Sequence, residues 1–509
     1  MGIILTFDCG TQSTRAMLFN DKGDLIDKVK MTFEPYYSTQ DGYAEQDPEL
    51  YWEKLCEASQ KLKERNADIW DTIIGVSVSS MRDVGICIDK DGKPLRPCIL
   101  WLDKRTAKCE TKLPLLSRMA FGVAGMSQAV EKNRKEAKCN WIEESEPEIW
   151  ARTYKYIQYS TFLNMRLTGV IKDSVASMIV HMPFDYKNKT WMKKNNLQRK
   201  MFTMKDDKLF DLVPPGSILG NITAEAAKMT GIKEGLPVIA AGSDKGCETV
   251  GTGAIHPHTA SISFGTTATI QITTSDFVEP DTFLPAYPSV IPDKYNPEIM
   301  VFRGYWMLTW FINELMKRKG ATEAISYEKE LDAMISAIPP GCEGLYVEPY
   351  WSPSLKRPEA RGAMIGFTER HGFVHMYKAI IEGINFALME GKNRLEKRSK
   401  TPITQLAVSG GGAQSDEVCQ ITADMFNLPV YRAQTYETSG LGAAICTFIG
   451  LNRYSSYEEA IENMVTKSKV FTPNPVNHEI YQNIYNDVYR KSYKRLRPIF
   501  LGLQKQKNK

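Results

Sequence analysis

Two loops far apart in the chain repeat one arrangement of chemistry-bearing residues. The first follows the apolar run Ile3-Ile4-Leu5 and Phe7 and reads Asp8-Cys9-Gly10-Thr11-Gln12-Ser13-Thr14-Arg15. The second follows Ile262 and Phe264 and reads Gly265-Thr266-Thr267. A glycine turn aims successive backbone N–H groups and a hydroxyl at one anion. A carboxylate beside it, here Asp8, can hold a divalent cation through water, because Mg2+ gives up its hydration reluctantly. Each loop alone is also an ordinary tight turn with a capping side chain. Their recurrence, with an apolar strand first and Gly-Thr at the tip, points to a phosphate chain gripped at two places. Gly410-Gly411-Gly412, ahead of Ala413 and Ser415, is a third stretch where backbone can approach a ligand with no Cβ in the way. Neither G-x-x-x-x-G-K-[S/T] nor G-x-G-x-x-G occurs, which excludes an ordinary P-loop enzyme and a simple dinucleotide binder.

Asp244 is the candidate general base. It follows the small-residue strand Val238-Ile239-Ala240-Ala241-Gly242, near the point where the pattern of the first half restarts. Phosphoryl transfer is mostly positioning and charge stabilisation, with a carboxylate to take the acceptor hydroxyl's proton. An Asp at this position also suits the cap of a following helix. Met81-Arg82-Asp83, at the end of the Ile73–Ser79 strand, sets a donor fork beside an acceptor, a pairing suited to vicinal hydroxyls. Trp101 offers a flat wall for a carbon chain. Asp103 is a candidate acceptor contact, and with Arg105 it also makes a local ion pair.

Strand and helix signals alternate over the first 110 or so residues. Asp47-Pro48 starts an amphipathic helix with Tyr51, Trp52, Leu55 and Leu62 on one face. Residues 130–215 read as a more helical, basic and irregular insert on the substrate side. A helix-rich stretch is expected at 303–335, a helix over Gly383–Leu395, and a small-residue helix from Gly440-Leu441-Gly442-Ala443-Ala444 that can pack close to another backbone. Tyr481, Tyr485, Tyr489 and Tyr493 recur at i, i+4 and read as core packing. The 509 residues suit two or more domains. A net charge of +4 without clustering gives no reason to expect nucleic acid, and the basic C-terminal tail reads as solvated. Ten cysteines lie scattered with no C-x-x-C, which argues for a reducing, cytoplasmic setting and against structural zinc. No apolar run is long enough to span a membrane.

Together these residues resemble the FGGY family of carbohydrate kinases, in the actin, sugar-kinase and heat-shock ATPase superfamily. The resemblance rests on Asp8-x-Gly10-Thr11-x-Ser13-x-Arg15, Trp101-x-Asp103-x-Arg105, Gly242-x-Asp244, Gly265-Thr266-Thr267 and the Gly362–Glu382 region. It rests too on Ser409–Ala413 with Ala423-Asp424 and Leu441–Ala444, and it runs through almost the whole chain in order. It implies an α/β protein of two ribonuclease-H-like (actin-like ATPase) domains with an interdomain cleft. Residues 1–250 would be the mainly sugar-binding domain and 251–509 the mainly ATP-binding one, with closure on substrate. By carry-over, Asp244 is the base, and Asp8 with Asp244 serves Mg2+. Gly10, Thr11, Gln12, Ser13, Arg15, Gly265, Thr266 and Thr267 then line the phosphates, and Gly411, Gly412, Ala413 and Ser415 the base and ribose of ATP. Met81, Arg82, Asp83, Trp101, Asp103, Asp244 and Lys245 would meet the acceptor.

Departures bear on the acceptor. Xylulokinases usually carry Gln-Met-His where this chain has Met81-Arg82-Asp83. Glycerol kinases carry Arg-Glu there, and autoinducer kinases resemble the Met-Arg-acid form. Lys245 brings a charge where many relatives are uncharged, placed to pair with Asp244 or with a substrate oxygen. The implied activity is ATP-dependent phosphorylation of a primary hydroxyl of a small open-chain sugar or polyol. A ketopentose is favoured, with glycerol, a short polyol or an autoinducer-type acceptor as alternatives. A reading from another class, an actin-like ATPase without a sugar, leaves Asp244 and Trp101 idle. The expected partner is the small-molecule acceptor, with no nucleic acid or membrane and, by analogy alone, a homodimer.

Overall fold

The computed structural model describes residues 2–315, 330–354 and 357–507. The 316–329 part of the expected helical stretch and the last two residues of the basic tail lie outside the described residues. The chain forms two compact units. One comprises Met1–Gly251, Ser275–Asn296 and Glu437–Val465, the other Thr252–Thr274, Pro297–Tyr436 and Thr466–Lys509.

The first unit is built on a six-stranded sheet. Its order is Ile218–Asn221, Pro237–Ile239, Ile73–Ser80, Ile3–Cys9, Ser13–Phe19 and Leu25–Thr32. Ile4, Leu5 and Phe7 are fully buried, as a central strand covered on both faces requires. The strand pairs antiparallel with Ser13–Phe19 and parallel with Ile73–Ser80. Leu25–Thr32 is the edge, and its alternating exposure turns Lys28, Lys30 and Thr32 toward water, which blunts further pairing. The helix Pro48–Arg65 starts as expected: Asp47 accepts the Glu49 N–H and Pro48 takes the first turn. Tyr51, Trp52, Leu55 and Leu62 are its buried face.

The small-residue helix, Thr438–Gly450, lies against the helix Asp244–Gly251 in this same unit. A Cβ on Gly442 would sit 1.8 Å from the Cys247 carbonyl oxygen, and one on Gly251 1.9 Å from that of Thr438. Only glycine permits this approach, and the approach fixes where the Asp244 helix begins.

The second unit repeats the first sheet strand for strand. Its order is Glu298–Val301, Ala268–Gln271, Thr259–Phe264, Gln405–Ser409, Val430–Ala433 and Lys467–Phe471. In both sheets an antiparallel trio is followed by two parallel strands and an antiparallel edge. The two Gly-Thr loops are therefore the same hairpin of one ribonuclease-H-like topology. The 27-residue helix Phe373–Ser399 packs beneath the second sheet. Tyr481, Tyr485 and Tyr489 are buried around Phe386, at ring separations of 6.3, 6.4 and 5.8 Å. A π-helical turn at Tyr485–Tyr489 stacks the last two rings. All ten cysteines are unpaired, nine of them buried.

Candidate active site

In the first unit the strand register sets Asp8 opposite Arg15. Arg15 Nη1 donates to Asp8 Oδ2 at 2.7 Å, and the Ser439 hydroxyl donates to Oδ1 at 3.4 Å. Arg15 Nε also lies 3.5 Å from Glu437, which takes Lys28 at 2.7 Å. Burial raises the Asp8 carboxyl above its ordinary range; Arg15 opposes this, and the charges of Asp244 and Glu437 add to it. The Asp244 carboxylate is thus among the charges felt at Asp8. Two such hard oxygen donors fit a divalent cation, whose charge offsets theirs. Among the described residues no cluster of three or more acids, histidines or cysteines is placed to hold a metal, so such an ion would complete its shell with water and phosphate oxygens.

The hairpin tip is tied down by the Gly10 N–H donating to the Ser13 carbonyl at 2.9 Å. Ser13 is buried there and Gln12 is exposed. The Thr11 hydroxyl is engaged on both sides: it accepts from Trp101 Nε1 at 3.1 Å and donates to Met81 Sδ at 3.4 Å. Thr11 therefore joins the first Gly-Thr hairpin to two of the residues expected at the acceptor.

Asp244 opens its helix with its side chain about one third exposed. Its Oδ1 accepts the Lys245 N–H at 2.8 Å, and Arg82 Nε approaches the same oxygen to 3.8 Å. The Arg82 guanidinium also lies 5.6 Å from the centre of the Tyr287 ring. Lys245 Nζ donates to Glu248 Oε2 at 2.7 Å. Burial works against the Lys245 charge, but Glu248 and then Asp244 outweigh it, so its pKa is raised and it stays cationic. Asp83 adopts a left-handed backbone (φ +55°), a strained state for a non-glycine residue. Its two oxygens accept from the His181 backbone N–H at 2.9 Å and meet His181 Nδ1 at 2.6 Å. Burial pushes the Asp83 carboxyl up, yet the His181 charge and hydrogen bonds bring it below the usual range; His181 is raised in turn, chiefly by Asp83.

Asp103 corrects the sequence reading. Its side chain has no solvent exposure and is held by Arg105 Nε and Nη2 and by the N–H groups of Ala44 and Arg105. Lys138 Nζ sits 3.6 Å away. No oxygen of Asp103 is left for an acceptor; it braces the loop that presents half-buried Trp101.

In the second unit the carbonyls of Gly265 and Thr266 accept the N–H groups of Tyr305 and Trp306 at 3.0 and 3.4 Å. Thr266 is exposed, with Gly265 and Thr267 half-buried. Gly410 (φ +80°) runs against Phe264, whose carbonyl carbon lies 2.8 Å from where its Cβ would be. Gly412 runs against Tyr305, with a ring carbon at 2.2 Å from the same construction. The Tyr305 ring packs on Phe264 at 4.9 Å, so it seats the Gly265–Thr267 tip beside the Gly410–Gly412 turn. A Cβ on Gly411 would meet nothing within 4 Å, which leaves open backbone where the single turn Gly411–Gln414 begins, with room for a ligand to approach. Ala413 is buried, with its carbonyl accepting from Arg432, and Ser415 caps the helix Asp416–Phe426 through the Val418 N–H. Their side chains serve the fold.

His181, Tyr287, Ser439, Glu437 and Tyr305 escape sequence reasoning. Each reaches its partner from far along the chain, and no local signal names that partner.

The profile described as "FGGY family of carbohydrate kinases, N-terminal domain" matches residues 3–251, and that of the C-terminal domain matches 260–451. The chain belongs to the FGGY family of carbohydrate kinases. It is 28% identical over 503 residues to the sugar kinase YgcE of Escherichia coli, covering 96% of this chain and 92% of that one. To a xylulose kinase of Staphylococcus epidermidis it is 27% identical over 508 residues, covering 98% of each. The solved structure of ligand-bound xylulose kinase from Lactobacillus acidophilus superposes with a TM-score of 0.83 at 22% identity, over 99% of this chain and all of the other. The FGGY kinase is thus a phosphotransferase with an alcohol group as acceptor, and the family uses ATP as donor. No described helix is long and apolar enough to cross a membrane.

Proposed function

We propose that this FGGY kinase transfers the terminal phosphoryl of MgATP to a primary hydroxyl of an open-chain ketose, with a ketopentose as the best candidate. The observation that carries the reading is Asp244: a partly exposed carboxylate, fixed by its helix start and flanked by Arg82, beside a second pair, Asp83 and His181, able to hold hydroxyls. Asp244 accepts the attacking hydroxyl's proton, a role worth about 10²- to 10⁴-fold in rate. Arg82 and Asp83 hold neighbouring hydroxyls, and Trp101 covers the carbon chain. Lys245, held by Glu248, keeps positive charge beside the base. Asp8 and Asp244 would hold Mg2+, which when bound neutralises phosphate charge. The first unit serves mainly the acceptor; the tip Gly265–Thr267 and the turn at Gly411 in the second serve mainly the nucleotide. Full-length xylulose kinase relatives support the ketopentose. The Arg82–Asp83 pair, like the Arg-Glu of glycerol kinases, favours a short polyol as the second reading. A coupled ADP assay over polyols, tetruloses, pentuloses and hexuloses decides between them, and ADP release indifferent to every acceptor would reject both.

A further inference from the structure

One atom at the acceptor end, His181 Nε2, has no role in this account. The His181 ring uses Nδ1 on Asp83, and its other nitrogen, Nε2, has no hydrogen-bond partner among the described residues. The side chain is 36% exposed, and it stands on Asp83, the chain neighbour of Arg82, which approaches Asp244. The bend that carries it is fastened from several directions. The Tyr186 hydroxyl accepts from the Val180 N–H at 3.1 Å and donates to the Val180 carbonyl at 3.0 Å. Gln158 Nε2 lies 2.9 Å from Met182 Sδ, and the His181 backbone N–H is fixed on Asp83. Tyr186 in turn lies 5.8 Å from Tyr287, the ring under the Arg82 guanidinium. A closed circuit therefore runs from Asp244 through Arg82, Tyr287 and Tyr186 to the Val180 backbone, and from its chain neighbour His181 to Asp83 and back along the chain to Arg82. Asp83 meets His181 from a left-handed backbone, φ +55°.

We propose that His181 determines acceptor specificity by donating from Nε2–H to a carbonyl oxygen on the acceptor's carbon chain, so that the site selects ketoses over the matching alditols. While Nδ1 donates to Asp83, Nε2 carries a hydrogen only in the imidazolium, the form that the Asp83 carboxylate 2.6 Å away favours. A carbonyl oxygen only accepts, and a ring N–H held in this way only donates. An alditol puts a hydroxyl at that place, whose own proton then needs a further acceptor. Sites built for one polar partner discriminate against analogues that lack it, because the unpaired group is left behind. Asp83, with both oxygens oriented by His181, keeps lone pairs for the adjacent hydroxyl. This inference rests on the kinase reading above and narrows its acceptor.

The test uses the full-length enzyme with D-xylulose and xylitol, comparing kcat/KM in the coupled ADP assay for wild type, His181→Asn and His181→Gln. The Asn amide reaches the Nδ1 position and keeps the bond to Asp83, but it offers nothing at Nε2; the Gln amide reaches toward Nε2. The expected result is a wild-type preference for the ketose that falls by about 10-fold or more in His181→Asn. The loss should lie in KM for xylulose, with xylitol kinetics within about 3-fold of wild type, and part of the preference should return in His181→Gln. If His181→Asn fails to fold, Tyr186→Phe, which frees Val180, should lower the preference in the same direction. An unchanged ratio, or equal losses on both compounds, would overturn the inference while leaving the kinase reading standing. A wild-type enzyme with no acceptor-dependent ADP release would overturn both.

Discussion

Gly442 gives a demanding test of how Asp244, the proposed base, is positioned. A methyl added there has its carbon 1.8 Å from the Cys247 carbonyl oxygen and 2.9 Å from the Gly251 nitrogen, and both are backbone atoms. No side-chain rotation relieves the overlap, so the Thr438–Gly450 and Asp244–Gly251 helices must separate. Overpacking of this kind costs about 1–3 kcal/mol, and the upper part of that range applies where only backbone can move. With an unfolding entropy of about 2.1 cal/mol/K per residue, that corresponds to roughly 1 °C in Tm per kcal/mol for 509 residues. Because the displaced helix begins with Asp244, Gly442→Ala should also lower kcat, with KM for ATP little changed. Gly411→Ala is the matched control, since a Cβ there meets no atom within 4 Å. It should leave Tm unchanged and raise KM for ATP, because the added methyl occupies the open backbone assigned to the nucleotide. Denaturant unfolding and steady-state kinetics on the two variants separate the effects. A Gly442→Ala enzyme of wild-type stability and kcat would refute the close-packing argument.

The other predictions concern single interactions. Asp103→Ala should destabilise the protein by about 3–5 kcal/mol, because Arg105 is left buried without its main partner; equal stability by urea unfolding would return Asp103 to the ligand-contact reading. Trp101→Phe removes the donor to Thr11 and should raise acceptor KM more than ATP KM, which initial-rate measurements in both substrates will show. The Asp83–His181 pair makes a signed pH prediction. His181 is raised above its ordinary 6.5, so its contribution is full below that value and lost as pH rises through the folded value; Asp83 is lowered from 3.8, so its contribution is full above that value and lost as pH falls through the folded one. Asp83→Asn should therefore cost most stability between about pH 4 and 6.5 and progressively less toward pH 9. A stability difference that is flat from pH 5 to 9 would contradict the ion pair.

The parts of the fold legible in the sequence are those set by local pattern. Ile3–Phe7 reads as a strand because four apolar residues precede a glycine turn, and Asp47-Pro48 reads as a helix start because both residues suit the first turn. The recurrence of Gly-Thr at two strand ends pointed to a duplicated hairpin, and the twin sheets give it the same place in each. The close-packing helix from Gly440 was legible as a run of small residues, but its partner, the Asp244 helix, was not, since no local signal names a neighbour almost two hundred residues away. Asp103 misled for a related reason. An acid beside Trp101 reads as a ligand contact, and only the approach of Ala44 and Lys138 from distant segments shows it to be consumed by the fold. His181 is invisible for the opposite reason: it sits in an irregular bend whose course depends on Tyr186 and Gln158, and nothing in Val180-His181-Met182-Pro183 announces a pair with Asp83.

The base assignment is tested most directly by Asp244→Asn, which keeps the size of the side chain and removes the proton acceptor. With wild-type Tm confirmed, acceptor-dependent ADP release should fall by about 10²- to 10⁴-fold with little change in KM for ATP. ADP release that persists at the wild-type rate in Asp244→Asn, or that needs no sugar in either enzyme, would contradict it.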